Sequence, residues 1–229
     1  MNTFVVGMVN LGSIAPAVLG WYHAKKRRDA LQKVAMEMGY LFDPEGKTLS
    51  KALNQTLHIF TLGSSRKIQN TMRGWCVTGE VTLFEFQYTE GGGPKQVTHH
   101  ETIAAFRLPN LSLPDFYLGP GHWWHKVGSA FGQGPITFPW HPQFAKRYLL
   151  RGPNESAIRQ FFGPSLLEYL LSLPDRPEWS LEASSPWLLV YSPFKRCKPE
   201  EIASFRDSAA TIASNVAAGM ELRRSAQAG

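Results

Sequence analysis

The chain has 229 residues, 43% of them hydrophobic and 18% charged, with 20 glycines, 16 prolines and two cysteines. This length holds one sizeable core or two small ones, and the composition excludes wholesale disorder, a collagen-like repeat and a disulfide-stapled scaffold. The formal charge is +6, but four of the positives are the consecutive Lys25, Lys26, Arg27 and Arg28. The remainder is close to balance, so no nucleic-acid partner is expected.

Residues 3–22 contain no Asp, Glu, Lys, Arg or His. Wound as a helix they would cover about 30 Å, the thickness of a bilayer's hydrocarbon core. Trp21 and Tyr22 close the run where interfacial aromatics belong, and the four cations follow as a cytoplasmic flank. The expectation is a transmembrane anchor over residues 1–23, single-pass in the cell inner membrane, N-out and C-in, with the globular part in the cytoplasm. Asn10, Ser13, Pro16 and several glycines weaken the run. The Ala15-Pro16-Ala17 triplet keeps a signal peptide in view, against the lack of a basic n-region. A buried or interfacial helix is the third alternative.

From Ala24 the pattern is helical. Leu31, Val34, Ala35 and Met38 recur on one face, and Gly39 supplies a stop. Residues 48–54 suggest a short helix and 57–62 a strand. Residues 67–89 hold two strands joined near Gly74 or Gly79, and 91–95 form a Gly-rich loop before a partner strand at 97–108. Shorter strands are expected at 115–118, 136–139 and 147–152. Asn154 caps a helix that runs to about Leu173 and is kinked or split at Gly163-Pro164. Strands near 179–183 and 187–192 precede a last helix, with Pro199 in its first turn and its end at Gly219. This order predicts one α+β domain over 24–220, with a largely antiparallel sheet and flanking helices, and a flexible tail at 221–229.

The stretch "NTMRGWCVTGEVTLFEFQYTEGGG", the Leu-Pro-x-Phe step at 113–116, His125-Lys126 and the Tyr-Leu-Leu-Arg-Gly run at 148–152 resemble a family of uncharacterised bacterial proteins with an N-terminal hydrophobic segment. The resemblance covers most of the chain after the anchor. It implies the α+β fold and a membrane anchor, and carries no catalytic residues with it. Where such relatives tend to read Asp-Ile-Asp-Phe, this chain has Pro135-Ile136-Thr137-Phe138, which lowers the expectation of shared acid or metal chemistry.

Chemical motifs are few. His122 and His125 bracket two tryptophans, His141 follows Trp140, and His99-His100 sit in a strand. Such histidines suit zinc only where three or four ligands converge. Adjacent strand residues point to opposite faces, so at most one of His99 and His100 can join a site, and Glu101 shares the face of His99 and could pair with it. There is no GxSxG elbow, and "GGGPK" lacks the P-loop pattern. Cys76 and Cys197 read as ordinary reduced thiols.

The reading is therefore a membrane-anchored, non-enzymatic binding or accessory module without a cofactor, docking on a protein partner or membrane complex. Trp123, Trp124 and Trp140 are the candidate partner contacts. Trp21, Tyr22, Lys25, Lys26, Arg27 and Arg28 form the membrane flank. The alternative is a metal-dependent hydrolase built on His122, His125 or His141.

Overall fold

In the computed structural model of the chain, residues 14–53, 57–123, 134–176 and 178–227 are described. Among these residues eight strands form one sheet. They are β1 (Leu41–Asp43), β2 (Ser64–Cys76), β3 (Gly79–Glu90), β4 (Val97–Arg107), β5 (Phe116–Pro120), β6 (Tyr148–Arg151), β7 (Ser180–Ser184) and β8 (Trp187–Tyr191). Their order across the sheet is β1-β2-β3-β4-β8-β7-β5-β6, every pair antiparallel. The first four strands make a meander. The chain then crosses to the far edge for β5 and β6 and returns through β7 and β8 to close the gap beside β4.

Among the described residues six α-helices accompany the sheet: α1 (Ile14–Glu37), α2 (Lys47–Ala52), α3 (Pro142–Arg147), α4 (Glu155–Phe161), α5 (Pro164–Ser172) and α6 (Ile202–Gln227). The α+β fold with an antiparallel sheet and flanking helices is as the sequence indicates. The two sheet faces are covered unequally. On one, Val81, Leu83, Ala104, Phe106, Leu118, Leu150 and Val190 meet Leu31 and Ala35 of α1, the leucines of α5, and Ile202, Phe205, Ile212 and Val216 of α6. The 3- and 4-residue spacing of those helical side chains puts each apolar stripe on the core side. On the other face, Phe84, Phe86, Tyr88, Ile103, Leu189 and Tyr191 are covered by Leu49 of α2 and Leu53 just after it, together with Leu57 and Ile59. We call these the helix-covered face and the lightly covered face.

Several local expectations need correction. Residues 57–62 form a 3-10 turn (His58–Thr61) rather than a strand, because the segment lies over the sheet instead of joining its edge. Residues 136–139 add no strand, although the Ile136 N–H donates to the Leu150 carbonyl at 2.8 Å. β1 and α3 are additions, both shorter than the periodicity of a single sequence can show. Gly163-Pro164 does split its helix, giving α4 and α5, and the Asn154 side chain accepts from the Ala157 N–H at 3.0 Å as a cap. α6 does not stop at Gly219 to leave a tail from 221. It continues to Gln227, since one glycine costs a helix only about 1 kcal/mol and no proline follows.

α1 continues through the expected junction at residue 23 without a break and ends where Gly39 takes φ 69°. Among the described residues no helix is long and apolar enough to cross a membrane, and residues 3–13 of the expected span lie outside the described residues.

Candidate functional site

Three glutamates on central strands are almost wholly buried. Glu85 and Glu101 are each 1% exposed and Glu182 is 0% exposed. Strand alternation puts Glu85 on the helix-covered face and Glu101 and Glu182 on the other, and their surroundings differ accordingly.

Glu85 is surrounded by donors. Arg27 of α1 donates to its Oε1 through Nε at 2.7 Å. Arg196 donates to Oε1 and Oε2 at 2.9 and 2.7 Å, and Asn70 Nδ2 donates to Oε2 at 2.7 Å. Asn70 reaches it from the extra residue of a bulge in β2, with φ 51°, a conformation that Asn tolerates better than most residues. Burial pushes the carboxyl up, but the hydrogen bonds and charges of Arg196 and Arg27 outweigh it and hold Glu85 below the usual range. Arg27 also donates to the Cys197 carbonyl at 2.6 Å. One of the four consecutive cations thus fastens α1 to the sheet.

Among the described residues Glu182 and Glu101 meet no such cations. The Tyr191 hydroxyl donates to Glu182 Oε1 at 2.5 Å, and the Ile59 N–H lies 3.2 and 3.1 Å from its two oxygens. Burial dominates over these bonds and raises Glu182 to about 7. Glu101 Oε1 accepts from the Tyr88 hydroxyl at 3.3 Å and from the Phe194 N–H at 3.2 Å, and burial raises it to about 7 as well. Its other oxygen, Oε2, is buried and meets no donor among the described residues. His58, buried in the 3-10 turn over the sheet, sits edge-on to Tyr117 with centroids 5.1 Å apart. Burial and the nearby Arg151 charge lower it to about 4, so its ring is neutral at physiological pH.

Between these groups lies a small cavity of about 30 Å³. Its buried lining includes His58, Tyr88, Glu101, Tyr117 and Tyr191, and its half-buried lining is Leu62, Glu90, Pro193 and Phe194. Phe194 holds φ 58°, a left-handed backbone that costs a non-glycine residue on the order of 1–2 kcal/mol. That conformation coincides with the N–H bond to Glu101. A larger hollow of about 410 Å³ lies on the same face near the β1 edge, between Leu49, Arg73, Arg107 and Trp187.

The residues singled out from sequence fall elsewhere. Trp21 and Tyr22 are exposed, Trp21 by 64%, with the Lys25 ammonium 5.4 Å from the Trp21 ring. Lys25, Lys26 and Arg28 are exposed, whereas Arg27 is half-buried on Glu85. Trp140 is exposed and lies edge-on to Phe138 at 5.4 Å. Trp124 and His125 lie outside the described residues, as does the side chain of Trp123, so the expected tryptophan cluster is not seen as a unit. His99 and His100 do point to opposite faces, but His99 pairs with Glu90 at 3.0 Å rather than with Glu101. His122 Nε2 lies 3.6 Å from Glu178, and His141 starts α3. Among the described residues no three His, Cys, Asp or Glu side chains converge as metal ligands. Cys76 and Cys197 are free. "GGGPK" closes the hairpin between β3 and β4, with a 3-10 turn at Gly93–Lys95.

No protein-family model matches the sequence. No curated protein matches it either. A solved structure of similar fold is the crystal structure of the mycobacterial trehalose monomycolate transport factor A, TtfA, with a TM-score of 0.52 over 84% of this chain and 91% of that one. The two are 14% identical, so the likeness is one of fold.

Proposed function

We propose that the chain is a non-enzymatic accessory module of a membrane protein complex. Residues 3–22 hold it in the inner membrane as a single pass, N-out and C-in, and the α+β body docks on its partner from the cytoplasmic side. The observation that carries this reading is α1. Its described start exposes Val18, Leu19, Trp21 and Tyr22, while its second half buries Leu31 and Ala35 in the core. A helix that leaves large apolar side chains in water over one half and is locked to a core over the other has the form of a stalk. Lys25, Lys26 and Arg28, exposed one turn further on, suit an anionic membrane surface. The fold likeness to a transport factor supports an accessory role rather than a catalytic one. Exposed Trp140 is the described member of the proposed partner contact.

Alkaline carbonate extraction of native membranes, followed by purification in mild detergent, tests both parts. The full chain is expected to stay in the membrane pellet and then to elute with a partner at a mass well above its own 25.6 kDa. Release by carbonate removes the anchor, and a clean monomer in detergent removes the docking role.

A further inference from the structure

We propose that the small cavity at the β3–β4–β8 end of the lightly covered face is a binding site for a primary alkylammonium group, with Glu101 as the recognising carboxylate. Glu101 is 1% exposed and lines the cavity, and its Oε2 meets no donor although a buried carboxylate oxygen is costly to leave bare. With Glu101 ionised, above its raised value of about 7, the group that satisfies Oε2 has to bring an N–H or O–H that the described residues do not supply. The lining selects the charge of that group. Tyr88, Tyr117, Tyr191 and Phe194 present aromatic rings, the neighbouring acids are Glu90 and Glu182, and the lining imidazole of His58 is held neutral by its burial. Among the described residues no lysine or arginine lines the cavity; Arg151, whose charge reaches His58, is not a lining residue. An ionised carboxylate among aromatic side chains, with no cation in the described lining, favours a positive guest over water, which answers the hydrogen bond but not the charge.

Size narrows the guest further. About 30 Å³ admits one or two water-sized groups, which suits an –NH3⁺ head on a chain leaving through the mouth and excludes a quaternary ammonium. The half-buried Leu62, Glu90, Pro193 and Phe194 form that mouth. Its wall is built, not incidental. The segment 192–198 is tied to β4 by the Thr102 N–H, which donates to the Lys195 carbonyl at 2.9 Å, and by Arg196 on Glu85. Those ties hold Phe194 in its left-handed conformation, with its N–H on Glu101.

Calorimetric titration of the full chain in detergent at pH 8, where Glu101 is ionised, with methylammonium chloride tests the site, with tetramethylammonium chloride and potassium chloride as size and charge controls. Saturable binding of methylammonium alone, weakened at least about tenfold in Glu101→Gln, is the expected result. No saturable binding means the cavity holds water only and overturns the proposal, as do equal binding of tetramethylammonium and unchanged binding by Glu101→Gln. Should that variant fail to fold, Leu62→Trp narrows the mouth and leaves the carboxylate intact. It is expected to keep the melting temperature and lose methylammonium, and retained binding then overturns the site.

Discussion

The two faces of the sheet bury carboxylates to the same degree and treat them in opposite ways. On the helix-covered face Glu85 receives two guanidinium groups and an amide, and its pKa falls. On the lightly covered face Glu101 and Glu182 receive tyrosine hydroxyls and backbone N–H groups, and their pKa values rise to about 7. Burial by itself raises all three, so the presence of a cation decides the sign. The first arrangement is a completed structural joint between α1, the sheet and the 192–198 segment. The second is an incomplete one, with Glu101 Oε2 without a donor among the described residues.

The largest expected effect is at the completed joint. Glu85→Gln keeps the shape but removes the charge that two arginines share, and breaking a buried pair in this way costs about 3–5 kcal/mol. Partial exposure of Arg27 and Arg196 places the expectation at the lower end of that range. A urea midpoint at pH 7 reads it, and hydrogen exchange over residues 24–37 should rise as α1 loses its clamp. A loss below about 1 kcal/mol would mean that this joint behaves like a surface pair and that the contrast between the faces is empty.

The next effect is the pH dependence of the lightly covered face. A carboxyl raised in the folded state binds its proton more tightly there than in the unfolded chain. Its contribution is therefore full below the unfolded value of 4.5 and lost as pH rises through about 7. Each of Glu101 and Glu182 is worth roughly 3 kcal/mol at most over that window. His58, lowered from 6.5 to about 4, works the other way, and its contribution is lost as pH falls through that interval. His100 is lowered too, chiefly by burial, and adds to that opposition. Two carboxyls against these imidazoles leave a net gain in stability from pH 8 to about pH 5. Below 4.5 the lowered Glu85 reverses the trend as it takes up a proton. Urea midpoints at pH 8, 6.5 and 5 read the sign. A flat or falling series would place compensating cations beside Glu101 and Glu182 and erase the difference between the faces.

Much of this architecture was legible in the residues. The two strands expected within 67–89 are β2 and β3, and the Asn154 cap and the Gly163-Pro164 break carry their own local chemistry. What was missed depends on long-range placement. The 57–62 segment has strand-like residues, and only the uncovered sheet face explains why it lies over the strands as a turn. The buried carboxylates did leave a signal. Glu85 sits between Phe84 and Phe86, and Glu182 between Leu181 and Ala183, so each acid stands on a strand with little solvent on either side and needs a partner. Which partner it finds is not local. Arg27 reads as part of a membrane flank from its neighbours in sequence, and only the fold brings it to Glu85, 58 positions away.

The smallest effect probes the seam where the two faces meet. Thr102 stands beside Glu101 on β4 and points to the opposite face, where its hydroxyl accepts from the Cys197 N–H at 2.9 Å. Thr102→Val keeps the strand's preference for a β-branched side chain and leaves that buried N–H without an acceptor, a loss of about 1–2 kcal/mol. Since Cys197 also offers its carbonyl to Arg27, the loss should be coupled to the Glu85 joint. A double-mutant cycle of Thr102→Val with Glu85→Gln is expected to show a coupling of at least about 0.5 kcal/mol. Strict additivity would show that the 192–198 segment hangs on each face independently and does not join the clamp on α1 to the wall of the Glu101 cavity.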